Sequence, residues 1–286
     1  MAYCADNGIS LNFFSEYGKF LARVEGAQQG NVMLRKAQYR ISEQNEAMRI
    51  KIVHSILMNK LENSRDILMR AARSENQKEL SALLDAISQI ENCISSMKTT
   101  RDTDAMRGIE GAAAAAYFRA FPLLLRTNDP VFIFHGRAQH PATDAVNALL
   151  SYTYTLLKND AVSALEAVGL DPQCGFMHSL RPGRPALALD LMEPFRAPIC
   201  DRLVISLINR KQINAESFTT DGGLPFLTPD ARKTVLTAWQ ERKQEEIIHP
   251  ALGERIPVGL ILYAQAMLLA RCVRGDSDTY PPYRWR

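Results

Sequence analysis

The spacing of hydrophobic and polar positions changes once along the chain. Before residue 30, the stretch YGKFLARV at 17–24 alternates loosely between apolar and polar residues, after a turn at Gly8 and before Gly26, which predicts a β-strand. It is the only convincing strand signal. From Asn31 onward, apolar residues recur three and four positions apart, as in the stretch 50–61, with charged residues between them. The predicted fold is therefore mainly α, with a short β segment in front of a large helical body.

Capping residues and breaker-rich segments predict where the helices begin and end. Candidate helix starts, the last followed by a proline at the first helical position, are Ser42, Ser74, Thr143 and Thr228. Breaks are expected in segments rich in glycine, proline and aspartate, at 126–144, 169–175 and 219–229. Pro194 predicts a kink or a helix boundary directly after Glu193. The tail after Gly275 is predicted to be poorly ordered.

Composition narrows the class of protein. The 286 residues, 47% of them hydrophobic, suffice for one large domain or two modest ones. The first residues, MAYCADNGIS, do not resemble a signal peptide, and the longest apolar stretch, 258–270, is too short to span a bilayer. Five scattered cysteines without a CxxC pair indicate reduced thiols. A cytoplasmic protein is expected, and its net charge of +3 is too small to indicate nucleic-acid binding by itself.

Two ionisable side chains lie among small or apolar residues, where an uncompensated charge is unfavourable. Glu110, in RGIEGAAAAAYF, precedes Gly111 and a run of alanines that allows neighbouring backbone to approach closely. His178, in CGFMHSLRPGR, precedes a turn that contains proline and arginine. Either residue could have a functional role. The alternative for Glu110 is a solvated glutamate near the start of an alanine-rich helix, and the alternative for His178 is a hydrogen-bonded structural histidine.

A third segment, ALALDLMEPFRAP, places Asp190 and Glu193 three positions apart, so that a helix would present both carboxylates on one face. Like charges held in this way repel each other unless cations intervene. Those cations are either a metal or arginines in a surface network, and the nearby arginines are Arg181, Arg184 and Arg196. Taken with Glu110 and His178, this oxygen- and imidazole-rich set suits Mg²⁺ or Mn²⁺ better than zinc, because no thiolate is placed to join it.

As a set, the three segments resemble the first-numbered family of CRISPR-associated (Cas) proteins, the endonuclease and integrase that inserts new spacers. The wording GLDPQCGFMHSLRPGRPALALDLMEPFR is specific to that family and looks most like its subtype I-C versions. The family uses a glutamate in an EG-A-rich helix, a histidine in a GF-x-H turn and the second acidic residue of a D-x-x-[DE] pair as metal ligands. The resemblance implies that these ligands are Glu110, His178 and Glu193, and that Asp190 has a catalytic role beside the metal.

The resemblance also implies a domain organisation. Members of the family begin with a β-rich domain that contributes to a homodimer, whereas this sequence starts near the final strands of that domain. We therefore expect the end of the β-domain and a linker at 1–30, a helical catalytic domain at 31–275 and a C-terminal tail at 276–286. With most of the β-domain absent, the usual homodimer is doubtful.

The implied reaction is a transesterification, in which the 3′-hydroxyl of captured DNA attacks a phosphodiester at the edge of a CRISPR repeat; the same Mg²⁺ or Mn²⁺ site would cleave branched DNA. The implied partners are double-stranded and branched DNA and the small second-numbered Cas protein, with no membrane. Candidate phosphate contacts, each of which could instead be a solvated surface residue, are Arg181, Arg184, Arg196, Arg202, Arg210 and Lys211. Tyr152 and Tyr154 could stack on bases or fill the core.

Two other functions stay open. One is a DNA-binding or scaffold subunit that cannot complete integration, which the oligomeric mass with and without the second Cas protein would reveal. The other is an unrelated helical metallo-phosphohydrolase that acts on small phosphoesters, which would show little dependence on salt concentration.

Overall fold

The computed structural model describes residues 1–7, 9, 11–14, 20–24, 32–73, 77–138, 141–281 and 283–285. The chain is mainly helical, as predicted. In chain order the helices are α1 (Ala2–Asp6), α2 (Val32–Gln44), α3 (Glu46–Ala72), α4 (Gln77–Thr99), α5 (Thr103–Ala120), α6 (Ala145–Ala167), α7 (Ala186–Met192), α8 (Arg202–Asn209), α9 (Pro229–Gln244) and α10 (Ile261–Arg274). Across the described ranges, no helix combines the length and the apolar character that crossing a bilayer requires.

The described residues form three antiparallel hairpins, where a single strand was predicted. The strand pairs are β1 (Leu11–Phe14) with β2 (Phe20–Val24), β3 (Phe218–Asp221) with β4 (Leu224–Leu227), and β5 (Glu246–Ile248) with β6 (Arg255–Pro257). The strand predicted at 17–24 is confirmed for its described part, 20–24, and residues 17–19 lie outside the described residues. The other five strands gave no signal that the sequence analysis recognised.

The hairpin of β3 and β4 occupies the segment 219–229, which was predicted only as a break. Its turn contains Gly222 and Gly223, whose φ angles of 56° and 80° lie in the left-handed region. Two-residue hairpin turns of type I′ need this conformation at both central positions, and glycine adopts it without steric penalty. The Asp-Gly-Gly run between two apolar stretches was therefore a hairpin signal.

The predicted helix starts have mixed outcomes. Thr228 is confirmed, since α9 begins at Pro229 and the Ala231 N–H donates to Thr228 Oγ1 at 3.2 Å. Thr143 was one residue early, because Asp144 Oδ1 accepts from the Asn147 N–H at 2.8 Å. Ser42 was wrong, because it lies inside α2, whereas Asn45 Oδ1 accepts from Met48 N at the start of α3. Ser74 lies outside the described residues.

The chain forms two compact units, of which the first comprises Met1–Ile52, Thr155–Met192 and Lys243–Pro281. In this unit α10 packs against α2 and α7. Gln38 on α2 holds the loop before α7, since its Nε2 donates to the carbonyls of Asp171 and Cys174, both at 2.8 Å. Its Oε1 accepts from the Asp171 N–H at 2.9 Å. A buried amide thus fixes the loop that leads to His178.

The second unit comprises Val53–Tyr154, Glu193–Arg242 and Pro282–Arg286. In it α4 packs along α5. The apolar residues that α4 buries, at the three- and four-residue spacing of one helix face, are Leu83, Ile87, Ile90, Ile94 and Met97. Each such side chain contributes about 1.5–3 kcal/mol when it leaves water, so this face alone is a large part of the unit's stability.

Tyr280, Tyr283 and Trp285 are buried, whereas residues 276, 278 and 279 are exposed, so the prediction of a poorly ordered tail is wrong for these three aromatic residues. In the first unit, the Tyr280 hydroxyl donates to Gln265 Oε1 at 2.5 Å. In the second unit, the Trp285 N–H donates to Asn63 Oδ1 at 2.8 Å, and the Arg242 guanidinium lies over the indole, 5.2 Å from its centroid. The aromatic residues near the end of the chain, which were predicted to be poorly ordered, are part of the core.

Candidate active site

Glu110 lies on α5, which is held at its start by a side-chain cap. Asp102 Oδ2 accepts from the Ala105 N–H at 2.6 Å, so the helix begins with one of its open donors satisfied. The carboxylate of Glu110 is one-quarter exposed and forms an ion pair and hydrogen bond with the Lys60 ammonium on α3. The alternative of a simply solvated glutamate therefore does not describe Glu110.

Glu193 lies directly after α7, which ends at Met192. A 3₁₀ turn, Glu193–Phe195, follows, so the predicted boundary at Pro194 is confirmed and the two carboxylates do not share one continuous α-helix. Asn63 on α3 fixes this turn, since its Nδ2 donates to the Pro194 carbonyl at 2.7 Å. Only 4% of the Glu193 side chain is exposed, so a surface network is excluded for this residue.

The carboxylates of Glu110 and Glu193 converge on one cation. Lys60 Nζ lies 2.6 Å from Glu193 Oε2 while it also bonds Glu110 Oε1. Burial alone would lower the pKa of Lys60, but the attraction of Glu193 and Glu110 outweighs it and raises the pKa. Lys60 is therefore charged at neutral pH.

Arg196 neutralises the other oxygen of Glu193. Its Nη2 lies 2.9 Å from Glu193 Oε1, and its guanidinium packs over the Tyr154 ring at 4.8 Å from the centroid. With 18% of its side chain exposed, Arg196 is engaged mainly inside the protein. The contact of Arg196 with DNA phosphate stays a prediction, and only the small exposed part of its side chain is available for that contact.

A buried carboxylate supports this arrangement. Asp201 accepts hydrogen bonds from the hydroxyls of Tyr154, at 2.7 Å, and Tyr117, at 3.0 Å. Burial raises the pKa of Asp201 to about 6, although the two hydroxyls and Arg196 favour its charged form. Of the two predicted roles of Tyr154, base stacking and core packing, the structure shows core packing. Its hydroxyl bonds Asp201, and its ring lies under the Arg196 guanidinium.

These residues line a cavity of about 610 Å³ in the second unit. One side carries the carboxylates of Glu110 and Glu193 with Lys60. Positively charged and aromatic side chains on the lining are Arg119, Arg137, Arg196, Tyr117, Phe118, Phe134 and Tyr154. A pocket that combines acidic groups with arginines and rings has the chemistry to hold both a cation and an anionic, partly aromatic ligand.

His178 and Asp190 form a second pair, in the first unit. Asp190 is fully buried, and its Oδ1 lies 2.6 Å from His178 Nδ1. The same carboxylate accepts from the backbone N–H groups of Phe176, Met177 and His178, at 2.6, 3.0 and 3.0 Å. Because Nδ1 is engaged by Asp190, Nε2 is the ring nitrogen that a metal-ligand role would require.

Gly175 permits this close packing. A Cβ atom at this position would lie 2.8 Å from the Ala186 Cβ and 2.9 Å from Asp190 Oδ2. Contacts of that length do not occur between ordinary side chains, so only glycine allows the loop to reach the carboxylate. The glycine before Phe176 is thus part of the machinery that holds His178.

The predicted ligands are therefore described as two pairs, Glu110 with Glu193 and His178 with Asp190. Among the residues that the structure describes, no three His, Cys, Asp or Glu side chains form a group ready to hold a metal ion. Between the two glutamates stands Lys60. The set of three metal ligands stays a prediction.

The other predicted DNA contacts differ in exposure. Arg181 and Lys211 are exposed, whereas Arg184 and Arg202 are half-buried. Arg184 donates to Ser179 Oγ at 3.0 Å. Arg210 and Lys211 lie beyond α8, which ends at Asn209, and Lys211 has a φ of 56°. Their contact with DNA stays a prediction.

Lys60 and Asp201 were missed although the sequence carried a signal for each. Lys60 follows Ile56 and Leu57 at the helical spacing of the buried face, where a lysine is unexpected. Asp201 lies in the run ICDRLVISLI, three positions before Val204 and seven before Ile208, again on an apolar face. In both cases the signal was a charged residue at the helical spacing of the apolar residues that form the buried face.

Comparisons with known proteins agree on one family. Residues 1–241 match the family model described as CRISPR associated protein Cas1. CRISPR-associated endonuclease Cas1 1 of Chlorobaculum tepidum is 46% identical over 288 residues, which cover 100% of this chain and 84% of that protein. CRISPR-associated endonuclease Cas1 2 of Rhodospirillum rubrum is 49% identical over 292 residues, with 100% and 84% covered.

Solved structures share the fold at lower identity. A casposase bound to integration product superimposes with a TM-score of 0.81 at 23% identity, over 98% of this chain and 76% of that one. A Cas1 protein from Thermotoga maritima gives a TM-score of 0.77 at 21% identity, over 96% of this chain and 81% of that one. A partial Cas6-RT-Cas1–Cas2 complex gives 0.80 at 23% identity, over 100% and 83%.

Proposed function

Because the chain belongs to the Cas1 family of CRISPR-associated proteins, we propose that it is a metal-dependent DNA endonuclease and integrase. It joins the 3′-hydroxyl ends of captured DNA to a CRISPR repeat and cleaves branched DNA. The observation that carries this proposal is the convergence of the Glu110 and Glu193 carboxylates on a single cationic group beside a cavity lined with arginines. Paired carboxylates directed at one point are the usual protein contribution to a divalent-metal site in phosphate chemistry.

Glu110, Glu193 and His178 would hold Mg²⁺ or Mn²⁺. The donor chemistry fits, because two carboxylates and an imidazole suit such ions, and the carboxylates of Glu110 and Glu193 already converge on one cationic group. When bound, the ion acts as a Lewis acid that stabilises charge developing on the phosphodiester oxygens. Asp190 acts as a positioning residue, because its hydrogen bond to Nδ1 fixes the tautomer and the orientation of His178.

The proposed reaction is a transesterification. The 3′-oxygen of the incoming strand forms a new bond to the phosphorus, the bond to the leaving 3′-oxygen breaks, and a proton passes from the attacking to the leaving hydroxyl. The protein's own side chains hold the reactants: Arg196 and Arg137 on the cavity wall neutralise phosphate charge, while Arg181 and Arg202 contact the backbone of the duplex. No covalent protein intermediate is needed.

DNA and the small Cas2-type protein are the proposed partners, and the specificity of the stretch 169–196 favours a subtype I-C system. Support for the protein partner is the similar fold of the Cas1-containing chain in a complex that also contains Cas2. Light scattering after gel filtration, with and without that partner, tests the assembly. A mass that never changes would favour the scaffold alternative and would also answer whether this chain forms a homodimer.

The function is tested by cleavage and strand transfer on branched DNA with Mn²⁺ or Mg²⁺, with Glu193→Gln as the variant. Glu91→Gln, an exposed glutamate on α4, is the matched control. We expect metal-dependent activity in the unchanged chain and the control, and a loss of at least about 10²-fold in Glu193→Gln. Full activity in Glu193→Gln would refute the assignment of this ligand, and activity that persists in a chelator would refute metal dependence.

A further inference from the structure

Lys60 is a charged residue on the buried face of α3. Its helix neighbours Leu57 and Leu61 are fully buried, and only 19% of the Lys60 side chain is exposed. Removing an ammonium group from water is unfavourable unless anions compensate for the lost hydration. Two carboxylates, those of Glu110 and Glu193, provide that compensation. The two glutamates therefore stabilise the buried charge of Lys60, and Lys60 neutralises the repulsion between the two glutamates.

The ammonium occupies the point at which the two carboxylates are aimed. It bonds Glu110 Oε1 and lies 2.6 Å from Glu193 Oε2, so it stands between the two carboxylates that would bind the ion. The same two oxygens cannot bind a divalent ion and keep the ammonium between them, since two cations would then be in contact. One of the two positive groups has to leave.

We propose that Lys60 is an internal counter-cation that occupies the metal position in the ion-free protein and leaves the carboxylates when Mg²⁺ or Mn²⁺ binds. This inference rests on the metal site of the proposed function. Lys60 itself lines the cavity of about 610 Å³, which gives its flexible four-carbon side chain space to turn away from the glutamates. The carboxylates then keep nearly the same positions whether or not the ion is present.

The exchange has an energetic consequence for metal affinity. Without Lys60, the glutamates would repel each other in the ion-free protein, and a divalent ion would relieve that repulsion in full. With Lys60 present, the ion gains only the difference between its own attraction and that of the ammonium, and the displaced charge still repels it from within the cavity. Lys60 therefore weakens metal binding and strengthens the ion-free fold.

The first experiment measures Mn²⁺ binding by isothermal titration calorimetry on the DNA-free chain. Lys60→Met keeps an unbranched side chain, one heavy atom shorter, and removes the charge. Lys98→Met removes the charge of an exposed lysine on α4 that does not line the cavity. We expect Lys60→Met to bind Mn²⁺ about tenfold more tightly than the unchanged chain. Lys98→Met should bind like the unchanged chain. Equal or weaker binding by Lys60→Met would overturn the proposal.

Thermal unfolding of the same proteins gives a second readout. Without metal, Lys60→Met should unfold at a lower temperature than the unchanged chain, because the glutamates lose their shared cation. With saturating Mn²⁺, its unfolding temperature should rise by more than that of the unchanged chain. A smaller rise than in the unchanged chain contradicts the exchange.

A third measurement uses the unchanged chain and so holds even if the variant fails to fold. Amine-reactive labelling followed by peptide mass spectrometry compares modification of Lys60 with and without Mn²⁺, with Lys98 as the internal reference. Displacement predicts a several-fold increase in labelling of Lys60 on metal addition and no change at Lys98. Constant labelling of Lys60 despite measured Mn²⁺ binding would refute the displacement alone. Absence of Mn²⁺ binding in both the unchanged chain and Lys60→Met would instead refute the proposed metal site.

Discussion

Replacing Asp190 by asparagine tests the support of His178. The carboxylate accepts four hydrogen bonds, two at each oxygen, from three backbone N–H groups and His178 Nδ1. In Asp190→Asn one oxygen becomes an NH₂ group, which cannot accept. Two bonds are lost if the NH₂ group replaces Oδ2, and one if it replaces Oδ1, where it can donate to Nδ1 of the neutral His178 ring. Each charge-assisted bond contributes about 1.5–3 kcal/mol, so we expect a loss of at least about 1.5–3 kcal/mol in the free energy of unfolding.

Urea unfolding of the metal-free protein, followed by circular dichroism, measures this loss. Asp102→Asn is the matched control, since asparagine caps a helix as well as aspartate and α5 should keep its stability. Mn²⁺ affinity should also fall by about 10–100-fold in Asp190→Asn, because the imidazole loses its fixed orientation. A destabilisation below about 1 kcal/mol would refute the view that Asp190 organises the His178 loop through these bonds.

Three further changes test other parts of the structure. Because burial raises the pKa of Asp201 to about 6, the folded protein holds that proton more tightly than the unfolded chain, so its contribution to stability falls as pH rises from about 4 to 6. Asp201→Asn should flatten that pH dependence, by up to about 3 kcal/mol in urea titrations at pH 4 to 7, and an unchanged slope would contradict the buried carboxylate. Trp285→Ala should destabilise the second unit by about 3–5 kcal/mol, and a loss below about 1 kcal/mol would mean that the C-terminal segment is peripheral. Arg181→Ala should lower the slope of log binding constant against log salt concentration for duplex DNA by about 0.9, and an identical slope would remove this residue from the phosphate contacts.

The helical fold could be predicted because long amphipathic stretches carry their own signal. The periodic stretch around 50–61 lies within α3, and Pro194 ends α7 where proline geometry requires. The hairpins were mostly missed because the strands that were not predicted have only three or four residues, too few for alternation to be recognised. The C-terminal segment was misjudged because its polar and proline content hides two tyrosines and a tryptophan whose burial depends on tertiary contacts.

Local sequence singled out the acidic and imidazole candidates and Arg196, but not Lys60. Glu110, His178, Asp190 and Glu193 lie in segments whose small or apolar neighbours mark them as unusual. Lys60 is 50 residues from Glu110 in the chain, so its position between the glutamates follows from packing that no local pattern encodes. Asn63 fixes the turn of Glu193 through the Pro194 carbonyl, and it is likewise far from that turn in the sequence.

Arg196–Asp201 forms a π-helical turn between the 3₁₀ turn of Glu193 and α8. Such a turn contains more residues than an α-helical one, and this extra length sets the angle between Arg196, which holds Glu193, and Asp201, which holds two tyrosine hydroxyls. Deleting one residue here would restore an α-helix and rotate the residues on one side by about 100° relative to the other. An insertion or a deletion within this turn would therefore separate the two anchors, so the length of the turn is expected to stay constant.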